Sequence, residues 1–251
     1  MSSPFDLTGR CAAVTGAGRG LGQAIALGLA RAGADVVLLG RPGNQDTTRD
    51  RAVELGVKAD VVDLDVSDLD AVEQVTAELN DSRQIDVVVN NAGIIDRADS
   101  VHVGRDSWQK VLDVNLNGLF FLTQRLGAPM VERGHGKIVS IASLLSFQGG
   151  LRVVSYAASK HGVAGVTKAL ANEWGPHGVQ VNAIAPGYMV TDNTRALRED
   201  ADRSRSILER IPAGRWGTAE DIAGAAVFLS SSAADYVNGH VLAVDGGWLA
   251  R

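Results

Sequence analysis

The chain has 251 residues, 45% hydrophobic and 21% charged, with a formal net charge of −5. That is the size and make-up of one soluble α/β domain whose core needs no metal or disulfide staple. The acidic balance argues against nucleic-acid binding, no run approaches the ~18 apolar residues of a membrane span, and Cys11, the single cysteine, leaves no intrachain disulfide possible.

Short apolar runs alternate with longer helical patterns. Ala12 to Val14 reads as a strand, Leu21 to Ala32 as a helix, Val36 to Leu39 as a second strand and Lys58 to Val62 as a third. Cys11, in an apolar stretch, reads as a buried filler. Ser67-Asp-Leu-Asp70 has the form of a capping box opening a helix to Leu79. Ile85 to Val89 reads as a strand, and Ser107 to about Arg133 as a long helix. Ile138 to Ile141, Val179 to Ala185 and Val241 to Val244 complete the strands. Helices are expected from about Tyr156 to Trp174 and, capped by Thr218-Ala-Glu-Asp221, on to Leu229. Runs without strict alternation suit strands buried on both faces. The expected fold is therefore a Rossmann-type doubly wound parallel sheet in a single domain spanning residues 1–251. The polar segment 188–210 is the candidate for a mobile lid, or for one or two small helices above a site. The N-terminus lacks the basic start and apolar core of a secretory leader, so a cytoplasmic enzyme is expected.

The first strand runs into Thr15-Gly-Ala-Gly-Arg-Gly-Leu-Gly22. Gly16, Gly20 and Gly22 permit a tight turn and close backbone approach to a pyrophosphate, and the helix from Leu21 offers free N–H groups and its positive end. A ligand-free glycine turn is the alternative. The second strand ends at Gly40-Arg41, where a carboxylate would bind the ribose 2′-hydroxyl of NAD. Gly40 supplies none. Arg41, helped by Arg19, suits a 2′-phosphate, which favours NADP; otherwise Arg41 is a solvated surface residue. Asp65-Val66 and Asn90-Asn-Ala-Gly93 follow the third and fourth strands, at the carboxyl ends where ligands bind in open α/β sheets, and an Asx turn and a Gly-terminated strand are the plainer readings. In Ser155-Tyr-Ala-Ala-Ser-Lys160, Tyr156 and Lys160 share a helix face, and a nearby ammonium favours a phenolate. Taken alone, such a pair is common on exposed helices.

Together, Thr15 to Gly22, Asn90 to Gly93, Asn115, Ser143, Tyr156-x-x-x-Lys160 and Pro186-Gly187 resemble, in order and spacing, the short-chain dehydrogenase/reductase family over nearly the whole chain. The resemblance implies an NAD(P)-dependent oxidoreductase with Tyr156 as general acid/base. Lys160 would bind the nicotinamide ribose and lower the Tyr156 pKa, Ser143 would steady the reacting oxygen, and Asn115 would hold a water linking Lys160 to solvent. It also implies that Asp65 and Val66 meet the adenine, and that Asn91, Ala92 and Gly93 line the adenosine and ribose. Pro186, Gly187, Met189 and Thr191 would form the nicotinamide-amide segment.

Narrower stretches, Ser143 to Gly150, Ala185 to Tyr188, Ile211 to Trp216 and Asp245 to Arg251, resemble the members that act on sugar acids such as 2-dehydro-3-deoxy-D-gluconate or 2-deoxy-D-gluconate. Gly40-Arg41 departs from that pattern and puts NAD preference in doubt. An acid substrate needs a cation, for which Arg97 and Arg152 are the candidates, with Gln148, Tyr188 and Asn193 reading hydroxyls. Each arginine has the alternative of a surface residue or an intersubunit salt bridge. Other ketones or alcohols (steroid, 3-oxoacyl carrier, polyol) and a non-catalytic NAD(P) sensor are the rival functions. No metal, nucleic-acid or membrane partner is expected. The family implies a homotetramer, joined through the small-residue helix carrying Ala158, Gly162, Gly165 and Ala169, with the Trp248-Leu249 tail at a second interface.

Overall fold

The computed structural model describes residues 3–251. Seven parallel strands form one sheet in the order β3-β2-β1-β4-β5-β6-β7. They are β1 (Cys11–Thr15), β2 (Asp35–Gly40), β3 (Ala59–Asp63), β4 (Val87–Asn90), β5 (Gly136–Ile141), β6 (Val179–Pro186) and β7 (Val241–Val244). The helices are α1 (Gly20–Arg31), α2 (Asp46–Glu54), α3 (Leu69–Ser82), α4 (Arg105–Leu112), α5 (Gly118–Arg133), α6 (Val154–Trp174), α7 (Arg195–Glu199), α8 (Ala201–Leu208) and α9 (Ala219–Ser230).

Alternate residues of each central strand enter different cores. Ala12, Val14, Val36, Leu38, Val87 and Val89 pack with Ile25, Leu29 and Ile222 from α1 and α9. Their neighbours Ala13, Val37, Leu39 and Val88 pack with Val72, Leu122, Leu126 and Trp174 from α3, α5 and α6. Both faces exclude water, so the period of two disappears into an apolar run.

Three local features differ from expectation. The helix-forming stretch after Gly104 does not run unbroken to Arg133: a π-turn, Asp113–Asn117, separates α4 from α5. Its wider turn rotates Asn115 inward, where it is fully buried. The cap of α3 is Asp68, whose carboxylate accepts from the Ala71 N–H at 3.1 Å, while Ser67 turns back to Asp65. Helix α2, which the apolar pattern does not announce, buries only Thr48 and Ala52. Thr218 does cap α9, with its N–H donating to Asp221 at 2.7 Å. Cys11 is partly buried, and burial pushes its thiol up to about 11. Among the described residues no helix is long and apolar enough to cross a membrane.

The strand order reverses between β1 and β4. Loops at their carboxyl ends therefore diverge and leave a crevice, the usual ligand position in such sheets. Segment 188–210 folds above it as a short turn, Asp192–Thr194, followed by α7 and α8.

Candidate active site

A cleft of roughly 330 Å³ runs along that crevice. One end is lined by Gly40, Arg41, Asn44, Gln45, Asp65, Val66, Ser67 and Lys110. The glycine loop with Arg19, Leu21, Asn91, Ala92 and Gly93 forms the middle. Ile141, Tyr156, Lys160, Thr191, Asp192 and Asn193 close the far end.

The loop is built for close approach. Gly16 has φ +65°, and a Cβ on Gly22 would lie 2.1 Å from the Gly16 carbonyl oxygen and 2.4 Å from Asn91 Nδ2. Asn91 fastens the turn by donating from Nδ2 to the carbonyls of Thr15 at 2.9 Å and Gly16 at 3.2 Å. Thr15 Oγ1 accepts from the N–H groups of Asn91 and Ala92, joining the ends of β1 and β4. Asp65 accepts from both the hydroxyl and the N–H of Ser67, which hold its carboxyl below the ordinary range, with Arg41 and Lys110 adding to the effect.

At the far end, Ser143 leaves β5 in extended conformation, and its Oγ accepts from the Leu145 N–H at 3.1 Å. Tyr156 and Lys160 stand one turn apart on α6, with Lys160 Nζ 5.6 Å from the Tyr156 ring centre. Lys160 is buried and donates to the Ile141 carbonyl at 2.6 Å. Burial pulls its ammonium down to about 8. Burial also pushes the Tyr156 phenol above its ordinary value, against the opposing pull of the Ser143 hydroxyl and the Arg97 charge. Desolvation penalises the phenolate more than these two neighbours favour it.

Asn115 Oδ1 accepts from the Ile94 N–H at 2.8 Å, and Nδ2 donates to the Ile94 carbonyl and to Ser159 Oγ. Its side chain thereby ties the π-turn to the β4 loop and to α6.

The predicted substrate residues separate. Arg97 is exposed, donates to the Asn193 carbonyl at 2.9 Å, and its charge reaches Tyr156. Arg152, with φ +63°, pairs with Asp99 at 3.1 Å in an exposed position, and of the predicted substrate residues only Tyr156 and Asn193 line the cleft, while Arg97, Ser143, Gln148, Arg152 and Tyr188 stand outside its lining. Gln148 ends the turn after Ser143, with its N–H on the Leu144 carbonyl. Tyr188 packs edge-on to Trp216 and 4.7 Å from Trp248. Trp248 is buried within its own chain, packed with Ile207 and Ile211 and with Arg210 stacked 3.9 Å above its ring. Pro186 and Met189 are also buried; Gly187 is half-buried at the end of β6, and the Met189 carbonyl accepts from Thr194 Oγ1 at 2.5 Å. Thr191 lines the cleft.

Sequence reasoning did not single out Gln45, Lys110, Ile94 or Asp192 among the lining residues. Gln45 and Asp192 sit in polar loops with no motif, and only the folding of those loops onto the glycine turn brings them in.

The family model for enoyl-(acyl carrier protein) reductase matches residues 16–249. A 2-dehydro-3-deoxy-D-gluconate 5-dehydrogenase of Bacillus subtilis (strain 168) is 56% identical, over 98% of this chain and 97% of its own. The crystal structure of a gluconate 5-dehydrogenase from Burkholderia cenocepacia J2315 in complex with NADP and tartrate is 41% identical, with TM-score 0.95 over 99% of this chain and 98% of that one. The structure of a short-chain type dehydrogenase/reductase from Mycobacterium marinum is 34% identical, with TM-score 0.90 over 98% of both chains.

Proposed function

This chain belongs to the short-chain dehydrogenase/reductase family, and on that premise we propose that it interconverts a hydroxyl and a keto group on a sugar acid of the 2-dehydro-3-deoxy-D-gluconate type, using NADP in preference to NAD. The observation that carries the reading is the pairing of Tyr156 and buried Lys160 at one end of a glycine-floored cleft, with the Ser143 hydroxyl beside the phenol and the Arg97 cation within electrostatic reach. The sugar-acid relatives, one of them seen with NADP and the hydroxy acid tartrate, support the substrate class.

The residues present suit a dinucleotide. The cleft is long, its floor has room only for glycine at position 22, and Asp65, Arg41 and Lys110 stand at the end where adenosine would lie. Gly16, Arg19, Gly20, Leu21 and Gly22 would hold the pyrophosphate through backbone N–H groups and the N-terminus of α1. Val66, Asn91, Ala92 and Gly93 would line the adenosine side, and Pro186, Gly187, Met189 and Thr191 the carboxamide. When bound, a nicotinamide accepts or supplies the hydride. In oxidation Tyr156 takes the proton of the substrate hydroxyl as hydride leaves the carbon; in reduction it returns that proton to the new alkoxide oxygen. Ser143 orients that oxygen. Lys160 would bind the nicotinamide ribose, and its charge would favour the phenolate. Asn115 fixes the π-turn on which the proton path depends. Arg97 pairs with the substrate carboxylate, while Asn193, Gln148 and Tyr188 lie on the hydroxyl side.

We further infer a cytoplasmic homotetramer. Ala158, Gly165 and Ala169 of α6 are exposed, which supports close approach of a second helix there.

The test is a turnover screen with NADP and NAD over sugar acids, neutral ketones, polyols and acyl-carrier ketones. Sugar acids should give the highest kcat/KM; a neutral ketone or polyol exceeding them by tenfold would reject the substrate class.

A further inference from the structure

Ser146 ends the short turn Leu144–Ser146 that follows Ser143, and it is buried without lining the cleft. Its N–H donates to the Ser143 carbonyl at 2.9 Å, and its hydroxyl donates to the Lys160 carbonyl at 2.6 Å. One residue thus joins the turn that carries Ser143 to the stretch of α6 that carries Tyr156 and Lys160. Lys160 is tied to the same strand end a second time, because its Nζ donates to the Ile141 carbonyl.

The hydroxyl bond is not one that the helix requires for itself. Lys160 lies inside α6, where its carbonyl accepts within the helix ladder, so Ser146 uses the second lone pair. The turn, in contrast, has few other anchors. Beyond Ser146, Phe147, Gly149, Gly150, Leu151 and Arg152 are exposed, and the two glycines free the backbone. On its other side the turn rests on Leu144, which packs with Ile207, Ile211 and Trp248, all outside α6.

We propose that Ser146 is a positioning residue of the reaction, its hydroxyl fixing the Ser143 turn against α6 and so setting the distance between the Ser143 and Tyr156 oxygens. The proposal rests on the Tyr156 acid/base reading and extends it. Ser143 and Tyr156 must meet one substrate oxygen, yet they come from a strand end and a helix. A misplacement of about 1 Å between such groups can cost about 10²-fold in rate. Ser146 acts only through the groups it holds.

The test is the kinetics of Ser146→Ala in the full-length protein, with 2-dehydro-3-deoxy-D-gluconate at saturating NADP. The variant orphans no buried group, because the Lys160 carbonyl keeps its helical donor, so the melting temperature should stay near that of wild type. Its kcat should fall about tenfold, with the dissociation constant for NADP changed less than about twofold. The Ser143 hydroxyl opposes the burial that raises the Tyr156 phenol. Loosening Ser143 should therefore move the rising limb of kcat/KM to higher pH. Ser146→Thr keeps the hydroxyl and should recover most of the rate and the wild-type limb. Wild-type kinetics in Ser146→Ala would overturn the proposal. So would a loss that leaves the limb in place, or one that comes with weakened NADP binding and a lowered melting temperature, since either would make the residue merely structural. Tyr156→Phe, assayed alongside, separates the two readings. If it is inactive while Ser146→Ala matches wild type, only the Ser146 role falls; if it turns over, both fall.

Discussion

Arg19 of the phosphate loop and Asp192 of the segment after β6 form an ion pair of 3.0 Å, although 173 residues separate them. Both line the cleft, and Asp192 also accepts from Arg195 at 2.5 Å. The two side chains are largely exposed, so the pair contributes at most about 1 kcal/mol. A cofactor phosphate must compete with Asp192 for Arg19. Asp192→Asn should therefore tighten NADP binding about two- to fivefold, an effect that shrinks in high salt. Fluorescence titration at two ionic strengths measures it. Weaker binding in the variant would mean that Asp192 helps hold the cofactor.

Tyr156 sits beside Ser143 and a buried ammonium, and no other phenol lines the cleft. Tyr156→Phe removes the proton carrier and little else. Its kcat should fall about 10²- to 10⁴-fold, with the dissociation constant for NADP nearly unchanged. Retained turnover would move the acid/base role elsewhere; lost binding would make the ring structural.

Much of this was legible because its physics is local. Strands buried on both faces announce themselves as apolar runs, and a glycine loop between a strand and a helix has few other uses. What was hidden depends on contacts distant in sequence. The π-turn at Asp113–Asn117 keeps the apolar pattern of the helices around it, and only the demand for Asn115 to meet Ile94 and Ser159 discloses it. Helix α2 buries too little to show a period. Gln45 packs into the space that Gly40 leaves by having no side chain. Nothing in the sequence around Trp248 announces that Tyr188 and Arg210 cover it within its own chain.

Lys160 carries a pH signature of its own. Its ammonium titrates at about 8 when folded, against an ordinary 10.5. Between these values the unfolded chain binds more protons, so stability rises with pH from about 8 to about 10.5. Below about 8 both states are charged and the penalty is full, on the order of 3 kcal/mol. Lys160→Met should be more stable than wild type at pH 7, and the gap should close toward pH 10. Cys11 and Tyr156, both raised by burial, lose stability with rising pH in either protein, so the difference isolates Lys160. Urea unfolding of the two proteins from pH 7 to 10 gives that difference. A gap independent of pH would show that the ammonium titrates in the fold as it does in the unfolded chain, so that burial does not shift it.

Arg97 and Arg152 were equivalent as sequence, but the fold gives them different work. Arg97 spans from the β4 loop to the Asn193 carbonyl, and its charge reaches the Tyr156 phenol. Arg152 is paired with Asp99, and although its carbonyl accepts from Ala98 beside Arg97, its charge is not among those acting on the Tyr156 phenol. A carboxylate clamp must act on an acid substrate and be indifferent to a neutral one. Arg97→Ala should raise KM for a sugar acid at least tenfold, consistent with a lost charge-assisted pair, and change KM for a neutral ketone less than threefold. Arg152→Ala should alter either KM less than about twofold, as expected for an exposed ion pair. Steady-state kinetics of the two variants on both substrate types decide the matter. Equal effects of Arg97→Ala on acid and ketone would remove it from carboxylate recognition. A selective effect of Arg152→Ala would require the Asp99 pair to open and deliver the guanidinium to the cleft.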